Sequence, residues 1–280
     1  MPPSELEEVA RKICGERGLQ FIKPEGEGTF KETFQVRMAG GKSIALMLYK
    51  AKTVTRRDKR EIDSMLRCNH KHIARLLSVE TYCFNGQNLL AITEEYLPGG
   101  TLGQKGRLTT AQCLAIGDQL IDALCHIAPL NLVHRDIKPE NIMFTADGVT
   151  PVLTDFGVVR VLSDSSLTPT WAARGPGTPF FSSPEQLNNE KDLIDWRSDQ
   201  FSLGIVLASL TLGDHPYRLP GMPDEDVVER VSSRGGPSNH FLRGVDAARL
   251  PALLRMAAPW PVDRFRKPDL LAKAWRSQEG

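Results

Sequence analysis

Eight consecutive residues constrain this chain more than any other feature. His134-Arg135-Asp136-Ile137-Lys138-Pro139-Glu140-Asn141 is followed, fourteen positions after Asn141, by Asp155-Phe156-Gly157. A solvated surface loop could hold these letters by chance, but further landmarks follow them. Gly177-Thr178-Pro179 and Ser183-Pro184-Glu185 come next, then Asp199 within Ser198-Asp199-Gln200-Phe201-Ser202-Leu203-Gly204, and last Arg264. A motif is a hypothesis that its structural context must confirm, and each added match in a fixed order makes coincidence harder to sustain.

Composition sets wide bounds. The 280 residues are 41% hydrophobic and 25% charged, the make-up of an ordinary globular chain with ample material for a core. Thirty-five basic residues against 34 acidic ones leave a formal charge of +1, so no global field points to nucleic acid or an anionic membrane as a partner. The five cysteines, Cys14, Cys68, Cys83, Cys113 and Cys125, are odd in number and widely spaced, without a Cys-x-x-Cys pair. Reduced thiols in a cytoplasmic protein are expected. Met1 to Arg11 alternates acidic and apolar residues, which suits an amphipathic helix and not a secretory signal. No run approaches the ~20 uninterrupted apolar residues that span a bilayer, so no membrane association is expected within this chain.

Two regions differ in period. Up to about residue 100 the pattern is of short β-like segments, interrupted by one helical stretch from Thr53 to Arg67 with the charge run Arg56-Arg57-Asp58-Lys59-Arg60-Glu61. Beyond Pro98-Gly99-Gly100 apolar residues recur at helical spacing over Thr109 to Ala128, Gln200 to Leu212 and Val245 to Ala257. The stretch from Ser163 to Ser183 is rich in Ser, Thr, Pro and Gly with neither period, which predicts a long functional loop. No internal repeat is visible, which excludes solenoids and propellers.

The motifs resemble those of the eukaryotic-type Ser/Thr protein kinases, with the catalytic loop at His134 to Asn141 and the metal-binding loop at Asp155 to Gly157. The resemblance covers about residues 20 to 275. It implies an α+β, bilobed fold: a small antiparallel β lobe with one helix over a larger, mainly helical lobe. Residues 1–19 would form a helical extension, 20–95 the N-lobe and 96–280 the C-lobe, with the hinge near Glu95 to Gly100. The implied activity is transfer of the γ-phosphoryl group of ATP to serine or threonine hydroxyls of protein substrates. Asp136 would orient the hydroxyl, Lys138 would steady the γ-phosphate, and Asn141 and Asp155 would hold Mg²⁺, a hard cation suited to carboxylate and amide oxygens. Nucleotide contacts are further implied at Gly26, Gly28, Ala45, Met47 and Glu95. Asp199 would hold the catalytic-loop backbone, and Arg264 would pair with Glu185, since a lone buried charge is costly. Lys138 with Thr178 indicates Ser/Thr over Tyr substrates, and Arg135, where small-molecule phosphotransferases generally carry Gly, indicates a protein substrate. Arg135 would receive a phosphate on the activation segment, at Thr170, Thr168 or Ser166. Autophosphorylation there implies self-association for reaction in trans.

One departure is severe. Kinases place a lysine on strand three, two residues after an Ala, but Ile44-Ala45-Leu46-Met47 puts methionine there, which carries no charge and donates no hydrogen bond. Lys50 would fall on the opposite strand face unless a bulge intervenes. Its helix partner would be Glu61, left without a cation. The glycine-rich loop Gly26-Glu27-Gly28-Thr29-Phe30-Lys31 carries a lysine in place of its third glycine. This pairing of changes resembles the With-No-Lysine kinases, in which a strand-two lysine reaches the same phosphates. A stem of about 6 Å from a strand roughly 4.8 Å away can reach that pocket. Two other readings stand beside it: an inactive pseudokinase scaffold, or an engineered Lys-to-Met silencing at position 47. Thr33 replaces the usual ring-packing Val. Glu94 would guard the back pocket, unless a one-residue bulge gave that place to Thr93.

Overall fold

The computed structural model describes residues 4–28, 31–50, 56–156 and 179–278. Its first layer is a five-stranded antiparallel sheet: β1 (Gln20–Gly28), β2 (Lys31–Arg37), β3 (Ser43–Lys50), β4 (Leu76–Phe84) and β5 (Gln87–Glu95), in the spatial order β1-β2-β3-β5-β4. Alternation divides the central strand cleanly. Ile44, Leu46 and Leu48 join Phe34, Val36 and Ala91 in one apolar cluster, whereas Met47 and Tyr49 join Ile62, Met65, Leu90 and Ile92 in another.

Helix α1 (Glu5–Arg17) closes the first cluster with Leu6, Val9, Ala10, Ile13 and Cys14. Ser4 caps it by accepting from the Glu7 N–H, Glu5, Glu7 and Glu8 suit its positive end, and Gly18 ends it in the left-handed region at φ 64°. The amphipathic reading of the amino terminus thus extends six residues beyond Arg11. Helix α2 (Arg56–Arg67) packs Ile62 and Met65 on the other sheet face. The predicted helical stretch began at Thr53; positions 53 to 55 lie outside the described residues.

The second lobe is built on α3 (Thr110–Ile127) and, further along, α5 (Trp196–Leu212). Thr109 and Gln112 form a reciprocal capping box at the start of α3. Thr110–Leu130 is long and apolar enough to cross a bilayer by length and composition alone, although Asp118 and Asp122 interrupt its apolar run. Its apolar side chains are instead core: Leu120, Ile121, Ala123, Leu124 and Ile127 are fully buried, and Trp275 lies so close over Gly117 that a Cβ there would meet its ring at 2.1 Å. The short α4 (Pro184–Leu187), then α6 (Asp224–Ser232), α7 (Asn239–Ala248), α8 (Ala252–Met256) and α9 (Pro268–Arg276) complete the lobe.

Three boundaries differ from the periodicity. Val245 to Ala257 is not one helix, because Arg249 adopts φ 56° and Pro251 follows it, so α7 and α8 are separate. Helix α5 starts four residues before Gln200, since Asp195 caps it through the Arg197 N–H. Ser183, taken as the end of the long loop, is the N-cap of α4 in a second capping box with Gln186. Of that loop, positions 163 to 178 lie outside the described residues.

Between the lobes, the chain after β5 turns down and pairs with β6 (Ile142–Phe144), which itself pairs with β7 (Pro151–Leu153). The Gly99 N–H donates to the Phe144 carbonyl at 2.9 Å, and the Leu102 N–H to Ile142 at 2.7 Å. A Cβ at position 99 would sit 2.2 Å from the Thr145 carbonyl oxygen. Glycine there lets the connecting segment press onto the strand that follows the catalytic loop.

Candidate active site

The lower wall of the cleft is held by backbone. Asp199, in the first turn of α5 and 1% exposed, accepts the N–H groups of His134 at 2.7 Å and Arg135 at 2.8 Å. These are charge-assisted bonds to a carboxylate away from water, among the stronger links a loop can have. They matter because Arg135 adopts φ 66°, a left-handed conformation that a non-glycine residue keeps only when its surroundings enforce it. Gln186 of α4 adds a third restraint by donating to the Arg135 carbonyl at 2.9 Å. His134 binds the two loops together. Its Nε2 donates to the Thr154 carbonyl at 2.9 Å, its Nδ1 accepts the Asp136 N–H at 3.3 Å, and its ring meets Phe156 edge-on with centroids 5.2 Å apart. One neutral tautomer satisfies both bonds.

Asp136 is thereby aimed into the cleft. Its Oδ2 accepts from Asn141 Nδ2 at 2.9 Å and lies 3.2 Å from Lys138 Nζ. Asn141 also donates to the Asp136 carbonyl, so its amide nitrogen is fully engaged and its oxygen is the remaining acceptor. The tight turn Pro139–Asn141 brings it back to Asp136.

The upper wall is held by side chains of three neighbouring strands. The register is continuous through β3: Lys31, Thr33 and Gln35 oppose Tyr49, Met47 and Ala45, and these in turn oppose Leu90, Ile92 and Glu94. The β3 register is unbroken from Ile44 to Lys50, with no bulge; the side chain of Lys50 lies outside the described residues. The irregularity in this region lies in β4, between Leu76 and Ser78. Glu94 opposes Ala45 in this unbroken register, while Thr93 opposes Leu46 and bonds to the Ser78 hydroxyl at 2.7 Å.

All three strands converge on Asp155. Lys31 Nζ lies 2.7 Å from Oδ2, the Tyr49 hydroxyl donates to Oδ1 at 2.8 Å, and the Asp155 N–H is shared between the two Glu94 oxygens at 3.3 Å each. Asp155 has φ 62°, a second left-handed residue under restraint. Burial alone would raise its pKa, but the Lys31 charge and hydrogen bond, the Tyr49 hydrogen bond and the Lys138 charge hold it down to about 2. Glu94, 4% exposed, moves the other way to about 8, through burial first and the Asp155 charge second. Two adjacent carboxyl groups are thus pushed apart, Asp155 toward its anionic form and Glu94 toward its neutral one. Burial, then Asp155, raises the Tyr49 phenol well above its ordinary value, so it remains a donor.

The structure brings Lys31, Asp136, Lys138, Asn141 and Asp155 together. Met47 is 4% exposed and packs in the apolar cluster with Ile62, Met65 and Ile92, with its sulfur 3.9 Å from the Tyr49 hydroxyl. Ala45 opposes Glu94, Gly26 opposes Thr33, and Gly28 opposes Lys31 at the mouth of the β1-β2 hairpin. Glu95 ends β5, where its N–H donates to the Arg75 carbonyl at 3.0 Å. Glu61 belongs to the backbone of α2, but its side chain lies outside the described residues. The phosphosite candidates Ser166, Thr168 and Thr170, together with Thr178, also fall outside them. Arg264 and Glu185 form the expected pair, with contacts of 2.6 and 3.1 Å at 0% exposure for both, and Ser198 also donates to Glu185 at 2.7 Å.

The sequence pattern of the protein kinase domain matches residues 19–232. The chain belongs to that family. This kinase domain is 26% identical over 265 residues to a probable serine/threonine-protein kinase of Clostridium perfringens, covering 91% of the chain and 37% of that protein. It is 31% identical to the serine/threonine-protein kinase Nek5 of Mus musculus, covering 90% and 39%, and 32% identical to the serine/threonine-protein kinase PknB of Mycobacterium tuberculosis, covering 75% and 34%. The kinase domain spans little more than a third of the length of these relatives. Both the family and the bilobed α+β architecture agree with the reading of the motifs. The grip of Tyr49 and Glu94 on Asp155 was not read from the sequence. Its one signal was alternation, which puts Tyr49 on the strand face of Met47, directly across from Lys31.

Proposed function

We propose that this kinase domain transfers the γ-phosphoryl group of ATP to serine or threonine hydroxyls of proteins, with Lys31 as the phosphate-facing cation in place of a strand-three lysine. The observation that carries the reading is the 2.7 Å contact of Lys31 Nζ with Asp155: the ammonium stands inside the cleft, beside the carboxylate expected to hold metal. Were Lys31 directed into solvent, the described residues of the upper sheet would offer Asp155 no cation.

The donor set suits magnesium, since Asp155 stays ionised and Asn141 has its amide oxygen left over, both hard ligands. Asp155 and Asn141 would hold the metal, which would supply charge neutralisation for the phosphates. The chain's own groups do the rest. Asp136 accepts the proton of the substrate hydroxyl as its oxygen bonds to the γ-phosphorus and the bond to the departing ADP oxygen breaks. Lys138, 3.2 Å from Asp136, and Lys31 face the transferred charge from below and above. Burial and the Asp155 charge push the Glu94 carboxyl toward its neutral form, which limits negative charge behind Asp155. The organisation we infer is a helical extension over 1–19, an N-lobe over 20–95 and a C-lobe over 96–280. Five free thiols, three of them buried, suit a reducing cytoplasm, and autophosphorylation of the activation segment would require a second copy in trans.

The rival is an inactive scaffold, favoured by the apolar seating of Met47. Autophosphorylation with ATP and Mg²⁺ separates them. The unaltered chain is expected to be active, and Lys31→Met to lose about 10²- to 10³-fold, the scale of removing one preorganised charge-stabilising group. Equal activity in Lys31→Met would end the relocated-lysine reading. An inert chain that Met47→Lys activates would make the position-47 methionine a silencing change.

A further inference from the structure

We propose that Tyr49 is a positioning residue for Asp155: its phenol keeps Oδ1 of that carboxylate aimed into the cleft when the ammonium of Lys31 is taken up by phosphate. The inference rests on the reading of Lys31 and Asp155 given above, and adds a residue to which no role has been assigned.

The argument begins with burial. Tyr49 is 6% exposed, between Lys31 on β2 and Leu90 on β5. A buried phenol needs a hydrogen-bond partner for its hydroxyl, and packing alone would be served as well by phenylalanine. The available partners are unequal. The Met47 sulfur at 3.9 Å is a weak acceptor, whereas Asp155 Oδ1 at 2.8 Å is a charged one. The hydroxyl is therefore explained by Asp155.

The division of labour on Asp155 supplies the second step. Lys31 takes Oδ2 and Tyr49 takes Oδ1, so each oxygen has its own donor. An ammonium shared between a carboxylate and a triphosphate cannot bind both at full strength, and its own charge opposes a metal ion on the same carboxylate. A neutral phenol does neither. It fixes one oxygen and leaves that oxygen's charge available. The restraint is needed because Asp155 is held at φ 62°, and its N–H bonds to Glu94 are long at 3.3 Å. Strand geometry also favours Tyr49 as the constant member. Both residues are paired on both sides, but Lys31 is the first residue of β2, where the chain passes from β1 to β2, whereas Tyr49 lies within the central strand.

The test is Tyr49→Phe in the full chain, with binding of a fluorescent ATP analogue measured first without metal and then across a magnesium titration. Metal-free affinity should stay within about twofold of the unaltered chain. The magnesium concentration giving half of the metal-dependent tightening should rise about tenfold, as expected for loss of a hydrogen bond to a charged group. In phosphorylation assays the same variant should need about tenfold more magnesium, with kcat largely regained at saturation. An unchanged magnesium requirement overturns the proposal. So does a parallel fall in metal-free affinity, which would mark a merely structural role. If Tyr49→Phe does not fold, Tyr49→Met carries the same expectation. If the unaltered chain shows no magnesium-dependent binding at all, the kinase reading itself falls, and this inference with it.

Discussion

The two walls of the cleft hold their polar groups by different means. Below, Asp199 and Gln186 grip peptide groups of the catalytic loop, with bonds of 2.7 to 2.9 Å from the body of the helical lobe. Above, Lys31, Tyr49 and Glu94 reach Asp155 with side chains from three adjacent strands. A peptide N–H points where its backbone sends it, so the lower wall cannot move a donor without refolding the loop. A sheet is more permissive, because positions directly opposite on neighbouring strands share a face at about 5 Å. A cation can then pass from one strand to the next and still serve the same pocket. The departure from the family pattern accordingly sits in the upper wall, and the lower wall keeps every residue the motifs called for.

The sharpest way to break this contrast is to attack the lower wall's buried anchor. Arg264 and Glu185 are both fully buried, and Ser198 contributes to the same carboxylate. Arg264→Met leaves Glu185 charged without its partner, and should cost about 3–5 kcal/mol in urea unfolding. A loss below about 1 kcal/mol would show that the pair does not support the lobe.

A somewhat smaller effect is expected at His215, which ties the end of the activation segment to the same lobe. Its Nε2 donates to the Phe180 carbonyl at 3.0 Å and its Nδ1 accepts the Tyr217 N–H at 3.1 Å, so the neutral ring satisfies both bonds. A second proton would face an N–H, and burial foremost pushes the pKa down to about 4. Above about pH 6.5 the group is neutral folded or unfolded and has no effect on stability. As pH falls from there to 4, the unfolded chain takes a proton that the folded chain refuses, and stability declines by roughly 3 kcal/mol before levelling off. His215→Gln keeps a donor and an acceptor but does not titrate. Its unfolding free energy should fall less between pH 7 and pH 4 by about that amount, whereas an identical acid slope would contradict the assignment.

The same contrast explains how much could be read in advance. The lower wall was legible almost entirely, because its work is done by side-chain types at fixed separations: His134 to Asn141, Asp155, Asp199, and the Arg264–Glu185 pair. Helix limits followed apolar spacing except where a cap or a turn decided them, as Asp195 does for α5 and Arg249 with Pro251 do between α7 and α8. In the upper wall, the absence of lysine at position 47 led to Lys31, and strand alternation argued against Lys50. Tyr49 stayed hidden because no spacing rule links strand β3 to a loop 106 residues away. Glu94 was placed in the back pocket, but its raised pKa depends on burial and on Asp155 beside it, which only the assembled fold brings together.

The central claim is that the upper-wall cation facing the phosphates comes from β2 and not from β3. An acyl-phosphate derivative of ATP, which acylates the lysine amines nearest its phosphate chain, tests this directly when the modified peptides are mapped by mass spectrometry. The account predicts acylation of Lys31, with or without Lys138, and protection of both by excess ATP and magnesium. Acylation of Lys50, or of Lys138 with Lys31 untouched, would contradict it.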